Sequence, residues 1–210
     1  MAEIQIADVG LGNPKSIKNV LLKIGYKSEL INKGSKLNSK LLFIPGVGNF
    51  DYASNIFNKE EWKEFIIKHL NNGNWLIGIC LGMQILCQKS DEGSGKGLEL
   101  IPGKFKKFQP NNLIKVPNMG WRDLQFKKNI RSKIDFTILN KFKMRFYFVH
   151  SYYYQNNDLS FVSGTSNHGI NFPAIINKDK IIGFQFHPEK SHVYGMKLLK
   201  FTLSEIFKNG

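Results

Sequence analysis

The segment that most constrains this chain is the apolar run Trp75-Leu76-Ile77-Gly78-Ile79 and its abrupt continuation into Cys80-Leu81-Gly82-Met83-Gln84-Ile85-Leu86. The run reads as a buried strand that turns directly into a helix, with Cys80 at the corner. Gly78 and Gly82 stand two residues either side of Cys80. That is the spacing of a nucleophile elbow, in which glycines let strand and helix crowd a strained side chain. A thiol so placed sits at a helix N-terminus, whose free N–H groups and partial positive charge favour thiolate and can hold an oxyanion. A cysteine in an apolar run is otherwise a small core residue, so the elbow needs partners elsewhere in the chain.

A partner pair stands near the other end. The short buried strand Ile181-Ile182-Gly183-Phe184-Gln185-Phe186 runs directly into His187-Pro188-Glu189. In extended backbone residues i and i+2 face the same way, and Pro188 fixes φ between them, so His187 and Glu189 project side by side. A carboxylate beside an imidazole orients it to take a proton from a nucleophile. With Cys80 about a hundred residues earlier, the three make a Cys80/His187/Glu189 triad. A third element follows the strand Leu41-Leu42-Phe43-Ile44, where the loop Pro45-Gly46-Val47-Gly48-Asn49-Phe50 lets main-chain N–H groups approach a ligand. With the amides of Val47 and Leu81 it supplies an oxyanion hole, although many α/β folds use such a loop as a plain connection.

Length and composition set limits on this chemistry. A chain of 210 residues suits one domain, 1–210, long enough to bury roughly 70% of its unfolded surface around a single core. No apolar stretch approaches the ~20 residues of a membrane span, and no basic-then-apolar leader opens the chain, which predicts a cytoplasmic protein without membrane contact. Cys80 and Cys87 are the only cysteines. On one continuous helix they lie about 10 Å apart, beyond disulfide reach, with Cys87 two turns from the activating end. With the five histidines scattered, no metal site is expected, and the chemistry needs no cofactor. The net charge of +14 would ordinarily point to nucleic acid. Here it comes from 27 lysines against three arginines, spread along the chain, without the arginine and aromatic context of nucleic-acid readers. No nucleic-acid partner follows, though the charge suits an acidic protein face.

The order of elements predicts the fold class. A strand at Ile4–Val9, a helix at about Lys15–Ile24, a strand at Leu41–Ile44, a helix at about Glu60–Asn71 and then the elbow strand and helix alternate as βαβα. This order predicts an α/β fold with a mixed, largely parallel central sheet flanked by helices. From Phe105 to Ile176 the segments become short, aromatic and β-branched, including Phe146–Tyr154 and Leu159–Thr165, and read as an antiparallel extension of the same sheet. Glu99–Gly103 and Lys127–Lys133 read as loops or edges. A last helix, Gly195–Phe207, presents Met196, Leu199, Leu203 and Ile206 on one face.

Taken together, Gly10-Leu11-Gly12-Asn13, Pro45-Gly46-Val47-Gly48, Gly78-Ile79-Cys80-Leu81-Gly82-Met83-Gln84, Pro117-Asn118-Met119-Gly120-Trp121, Tyr147-Phe148-Val149-His150-Ser151-Tyr152 and Phe186-His187-Pro188-Glu189-Lys190-Ser191 form six ordered motifs. In these the chain resembles the triad, or class I, glutamine amidotransferases nearly end to end. The resemblance implies hydrolysis of L-glutamine to glutamate and ammonia, and a heterodimer in which the ammonia passes to a (β/α)8-barrel cyclase or synthase subunit. It implies that Gln84, Ser151 and Tyr152 bind the α-amino and α-carboxylate ends of glutamine, and that Gly46 and Gly48 shape the pocket floor. It places Asn13, Met119, Trp121, Tyr147 and Lys190 at the face meeting the partner. It also implies that without the partner the Val47 N–H points away from Cys80.

Two positions depart from the family's histidine-biosynthesis members. There the resemblance leads one to expect His at 118 and Asn at 122, where this chain has Asn118 and Arg122. A related set of glutaminases delivers ammonia for amidino-sugar formation in surface polysaccharides, and the run Glu189-Lys190-Ser191-His192 through Lys200 also resembles those. The histidine-pathway acceptor is the first expectation and the amidino-sugar acceptor the alternative.

Overall fold

Side-chain alternation explains the centre of the molecule. In the computed structural model, which describes residues 3–208 apart from 33, 34, 37 and 113, strand β3 (Leu41–Ile44) is buried along its whole length. Leu41 and Phe43 enter one apolar cluster and Leu42 and Ile44 another. A strand that buries both faces lies inside a sheet covered on both sides. The sheet runs β2 (Ser28–Ile31), β1 (Ile4–Ala7), β3, β4 (Trp75–Ile79), β13 (Ile181–Phe184), β12 (Asn171–Lys178), β11 (Val162–Asn167) and β8 (Gln125–Phe126). From β2 to β13 the pairs are parallel, and from β13 to β8 they are antiparallel. Helices α1 (Pro14–Lys23) and α5 (His192–Lys208) cover one face with Ile17, Leu21, Leu198 and Leu203. Helices α2 (Phe50–Phe57), α3 (Glu60–Asn71) and the short α4 (Leu81–Ile85) cover the other with Phe50, Phe57, Ile66 and Ile85. This is the mixed, largely parallel α/β sheet expected, with its antiparallel extension.

Several details differ from expectation. The extension takes in only β8, β11 and β12. Strands β5 (Lys89–Ser90), β6 (Lys104–Lys107) and β10 (Tyr152–Gln155) form a separate three-stranded sheet, and β7 (Asn118–Asp123) with β9 (Arg145–His150) a two-stranded antiparallel ribbon. The expected single segment Phe146–Tyr154 is therefore two strands in two sheets, broken at Ser151. Leu159–Phe161 is a 3-10 turn, and β11 starts only at Val162. Strand β1 ends at Ala7 because the chain turns at Gly10 and Gly12, both at positive φ. Helix α1 begins at Pro14, where Asn13 caps it by accepting from the Ser16 N–H at 3.3 Å. Helix α5 starts three residues before Gly195, and Leu198, not Met196, completes its buried stripe. Strand β2 and helix α2 carry no clear signal in the sequence: β2 is a half-exposed edge without strict alternation, and α2 begins at Phe50, the last residue of what reads as a glycine loop.

The elbow helix is also shorter than its apolar sequence suggests. It stops at Ile85, with Leu86 as its C-cap. Cys87 therefore lies in the turn beyond the helix, fully buried, and not two turns along a continuous one.

Candidate active site

Cys80 is held at φ 54° and ψ −109°, a conformation that L-residues adopt only under constraint. The constraint is visible on all sides. The Cys80 N–H donates to the Phe184 carbonyl of β13 at 2.7 Å, and its own carbonyl accepts from the Gln84 N–H at 3.1 Å. A Cβ at Gly78 would come within 2.5 Å of the Gly82 carbonyl, and one at Gly82 would overlap the Ile44 carbonyl. Both glycines exist so that β3, β4 and α4 can touch. With only five residues, α4 brings few aligned peptides to the thiol. Its contribution is local N–H groups, with little macrodipole of the kind the sequence suggested.

His187 follows β13, the parallel neighbour of β4, in a register that sets Phe184 opposite Ile79. Pro188–Lys190 is a 3-10 turn and not extended backbone. The turn, not strand alternation, brings Glu189 back to its neighbour: His187 Nδ1 donates to Glu189 Oε1 at 2.7 Å. Burial pushes the imidazole pKa down, yet the charge of Cys80, followed by Glu189, raises it to about 10. His187 Nε2 makes no hydrogen bond of normal geometry among the described residues. Its coupling to Cys80 is therefore electrostatic, at close range. Cys80 Sγ lies 3.9 Å from the Val149 carbonyl.

Ser191, unassigned in the sequence motif, ties the turn down. Fully buried, it donates from Oγ to the His187 carbonyl at 2.6 Å and accepts from the Tyr147 N–H at 3.0 Å. A Cβ at Gly195 would overlap the Pro188 carbonyl, so α5 also presses on the turn.

Cys80 opens into a cavity of about 430 Å³ that Val47, Gly48, Leu81, Gln84, Ser151, Tyr152 and Lys190 also line. Gly46 lies beneath the lining, where a Cβ would come within 2.9 Å of both Leu81 and Gly82. Its glycine serves close packing, and the positive φ in this loop belongs to Gly48 at 118°. The Leu81 N–H donates to the Gly46 carbonyl at 3.3 Å. Because a trans peptide points its C=O and N–H in opposite directions, the Val47 N–H faces away from the Leu81 amide. The Val47 nitrogen lies instead beside Gly12, where an added Cβ would sit 3.2 Å from it.

The cavity adds residues that sequence reasoning missed. Glu92 is its one acidic lining residue. Its carboxylate accepts from the Phe50 N–H at 3.0 Å, and burial, only partly offset by that bond, raises its pKa. The run Asp91-Glu92-Gly93-Ser94 carries no strand or helix pattern, so nothing in the sequence marks it. Pro117, Val149 and His150 complete the wall.

The expected partner face falls into two groups. Met119, 58% exposed, and Trp121 share one face of β7, with Tyr147 opposite Trp121 on β9. The Trp121 ring packs edge-on to Tyr147 and stacks on His192 at 5.6 Å. Asn13 is exposed at the α1 cap, and exposed Lys190 also lines the cavity at Cys80.

Comparison with known proteins places this geometry. The family model described as glutamine amidotransferase class-I matches residues 5–204, and the chain belongs to that enzyme family. Among its members the chain is 41% identical to the imidazole glycerol phosphate synthase subunit HisH 2 of Methanococcus maripaludis, over 94% of this chain and 96% of that one. It is 37% identical to the HisH subunits of Desulfitobacterium hafniense and Leptospira interrogans, with coverage of at least 92% on either side. A crystal structure titled as a glutamine amidotransferase superposes with a TM-score of 0.74 at 15% identity, covering 98% of this chain and 99% of that one. PurLQS from Thermotoga maritima superposes with 0.72 at 18%, covering 100% and 99%. Both share the fold. Among the described residues no helix is long and apolar enough to cross a membrane.

Proposed function

We propose that this chain hydrolyses L-glutamine through Cys80, His187 and Glu189. In this reading it forms a cytoplasmic heterodimer with a (β/α)8-barrel cyclase and delivers ammonia to it, for formation of imidazole glycerol phosphate and AICAR in histidine biosynthesis. The observation that carries it is the buried His187–Glu189 pair at 2.7 Å whose imidazole is raised by the elbow cysteine. The acceptor rests on the histidine-pathway name that the HisH relatives carry, and no observation favours the amidino-sugar alternative.

The steps follow from the parts. Cys80, as a thiolate beside the protonated His187, attacks the side-chain amide carbon of glutamine, pushing the carbonyl π pair onto oxygen. That oxyanion needs two N–H donors, from Leu81 and Val47. The His187 imidazolium, held by Glu189, protonates the nitrogen as the C–N bond breaks, and ammonia leaves a thioester. Water then gives a proton to His187 and its oxygen to the acyl carbon, and glutamate departs, leaving the Cys80 thiolate beside protonated His187. Gln84, Ser151 and Tyr152 hold the amino-acid end, with Glu92 offered to the α-ammonium group, while Gly46 and Gly48 form the floor.

In this reading the hole is closed while the Leu81 N–H donates to the Gly46 carbonyl at 3.3 Å. Turning the Gly46–Val47 peptide over releases that N–H and brings the Val47 N–H to the same side, and two such states separated by a few kcal/mol can be switched by a partner. Adding the cognate cyclase with its substrate should therefore raise kcat far more than it lowers KM, the mark of a contact made only in the transition state. Glutamate release that never exceeds that of Cys80→Ala, with or without the cyclase, would overturn the glutaminase assignment.

A further inference from the structure

Behind the glutamine cavity, four polar side chains form one chain of five hydrogen bonds whose direction is determined at both ends. His150 Nδ1 lies 2.7 Å from the Tyr152 carbonyl, which can only accept, so Nδ1 carries the proton. His150 Nε2 is then an acceptor, and it takes a bond from Asn118 Nδ2 at 2.9 Å. Asn118 Oδ1 accepts from Arg122 Nε at 3.0 Å. Arg122 Nη2 donates to His168 Nδ1 at 3.0 Å, and His168 Nε2–H donates to the Lys115 carbonyl at 2.6 Å. Asn118 is completely buried, His150 and His168 nearly so. Pro117 forms the wall between the glutamine cavity and a second cavity of about 520 Å³ that Arg122, Lys115 and His168 line.

The inner end of the chain matters most. Ser151 and Tyr152 stand where β9 gives way to β10 and the backbone changes sheets, with the Ser151 carbonyl accepting from the Phe108 N–H at 3.0 Å and Tyr152 opposite Lys107 at the start of the β10–β6 ladder. His150 holds the Tyr152 carbonyl, and its ring orientation depends on Asn118. Asn118 can present its NH2 to His150 only while its oxygen faces Arg122, because the reverse flip would set NH2 against the Arg122 N–H. We propose that Arg122, acting through Asn118 and His150, is a positioning residue that aligns the Ser151–Tyr152 edge of the cavity for glutamine. This rests on the glutaminase reading above.

Asn118→Asp is the sharpest test, because it keeps size and the Arg122 contact but cannot donate to Nε2. His150 must then either lose that bond or take a second proton. The groups charging its surroundings are His168, His187 and Arg122, all of which disfavour a second proton, and burial keeps the native pKa down at about 3. In the full chain with saturating cognate cyclase, Asn118→Asp and Arg122→Ala should raise the KM for glutamine about five- to tenfold, on the scale of one lost positioning hydrogen bond. In both, kcat should stay within about twofold. Arg122→Lys, which keeps one donor, should recover part of the loss. In parallel, 15N NMR of the free chain should show His150 as the Nδ1–H tautomer with an accepting Nε2, and a displaced Nε2 resonance in Asn118→Asp. A KM within about twofold of wild type in Asn118→Asp overturns the proposal, as does a KM rise with His150 unchanged, or a loss confined to kcat. Absence of glutamine hydrolysis in the wild-type complex would instead defeat the underlying reading, and the NMR result stands apart from either.

Discussion

Cys80 and His187 follow the ends of adjacent parallel strands, β4 and β13, locked in register with Ile79 opposite Phe184. Val47, Glu92 and the Ser151–Tyr152 pair sit on loops and on the junction between two small sheets. Around the elbow the backbone of β3, β4 and α4 leaves no space for a single methyl group at Gly78 or Gly82, whereas Gly48 in the facing loop has open space about it. Under the proposed glutaminase reading, the difference teaches a division of labour. Groups that exchange protons and bonds need a fixed separation and are built on the packed sheet. Groups that must meet an entering substrate are placed where peptides can turn.

The largest expected effect tests the fixed half. Cys80→Ala should lower glutamine-dependent synthesis by the partner complex at least about a thousandfold, leaving ammonia-dependent synthesis intact. Retention of glutamine-dependent turnover within about tenfold would remove Cys80 as the nucleophile.

Next in size is rigidity itself. Gly82→Ala must displace the Ile44 backbone and should cost about 3 kcal/mol or more of stability. Gly48→Ala meets nothing but its own φ of 118°, and should cost only about 1–2 kcal/mol. Urea unfolding of both variants measures the contrast, and equal losses would abolish it.

A subtler measure is pH. His187 is held protonated to about 10 in the native state, against about 6.5 when unfolded. Its contribution to stability is therefore complete below about pH 6.5 and is lost as pH rises toward 10. Removing the charge of its strongest raising neighbour, in Cys80→Ser, should flatten that loss. An unchanged slope of unfolding free energy between those pH values would break the coupling of the pair. The smallest expected effect is at Cys87, where burial pushes the thiol pKa up. Iodoacetamide should modify Cys80 first, and prior labelling of Cys87 would contradict its burial.

The same division governs what the sequence revealed. Strands β3, β4 and β13 bury both faces, so their apolar runs are continuous and readable, and Cys80 and His187 stand at their ends. Strand β2 is a half-exposed edge, and helix α2 owes its start to Asn49 accepting from the Tyr52 N–H after a glycine loop; neither has a strong pattern of its own. Glu92 and Ser191 belong to the site through tertiary hydrogen bonds alone. The break at Ser151 is invisible locally, because the aromatic residues either side favour strand equally and only the partners β7 and β6 differ.

The position of β13 reaches beyond catalysis into how the chain is made. It is the last strand in sequence, yet it lies between β4 and β12 in the middle of the sheet. A growing chain that has already built β1, β3 and β4 therefore has an open edge at β4 until residue 184 has left the ribosome. Such an edge is a template for wrong pairing. The same delay means that no nascent chain stopping short of residue 187 can hold His187 against Cys80. In the proposed glutaminase reading, competence to liberate ammonia thus arrives only once β13 has closed the sheet, and the earlier strands are chemically silent until then.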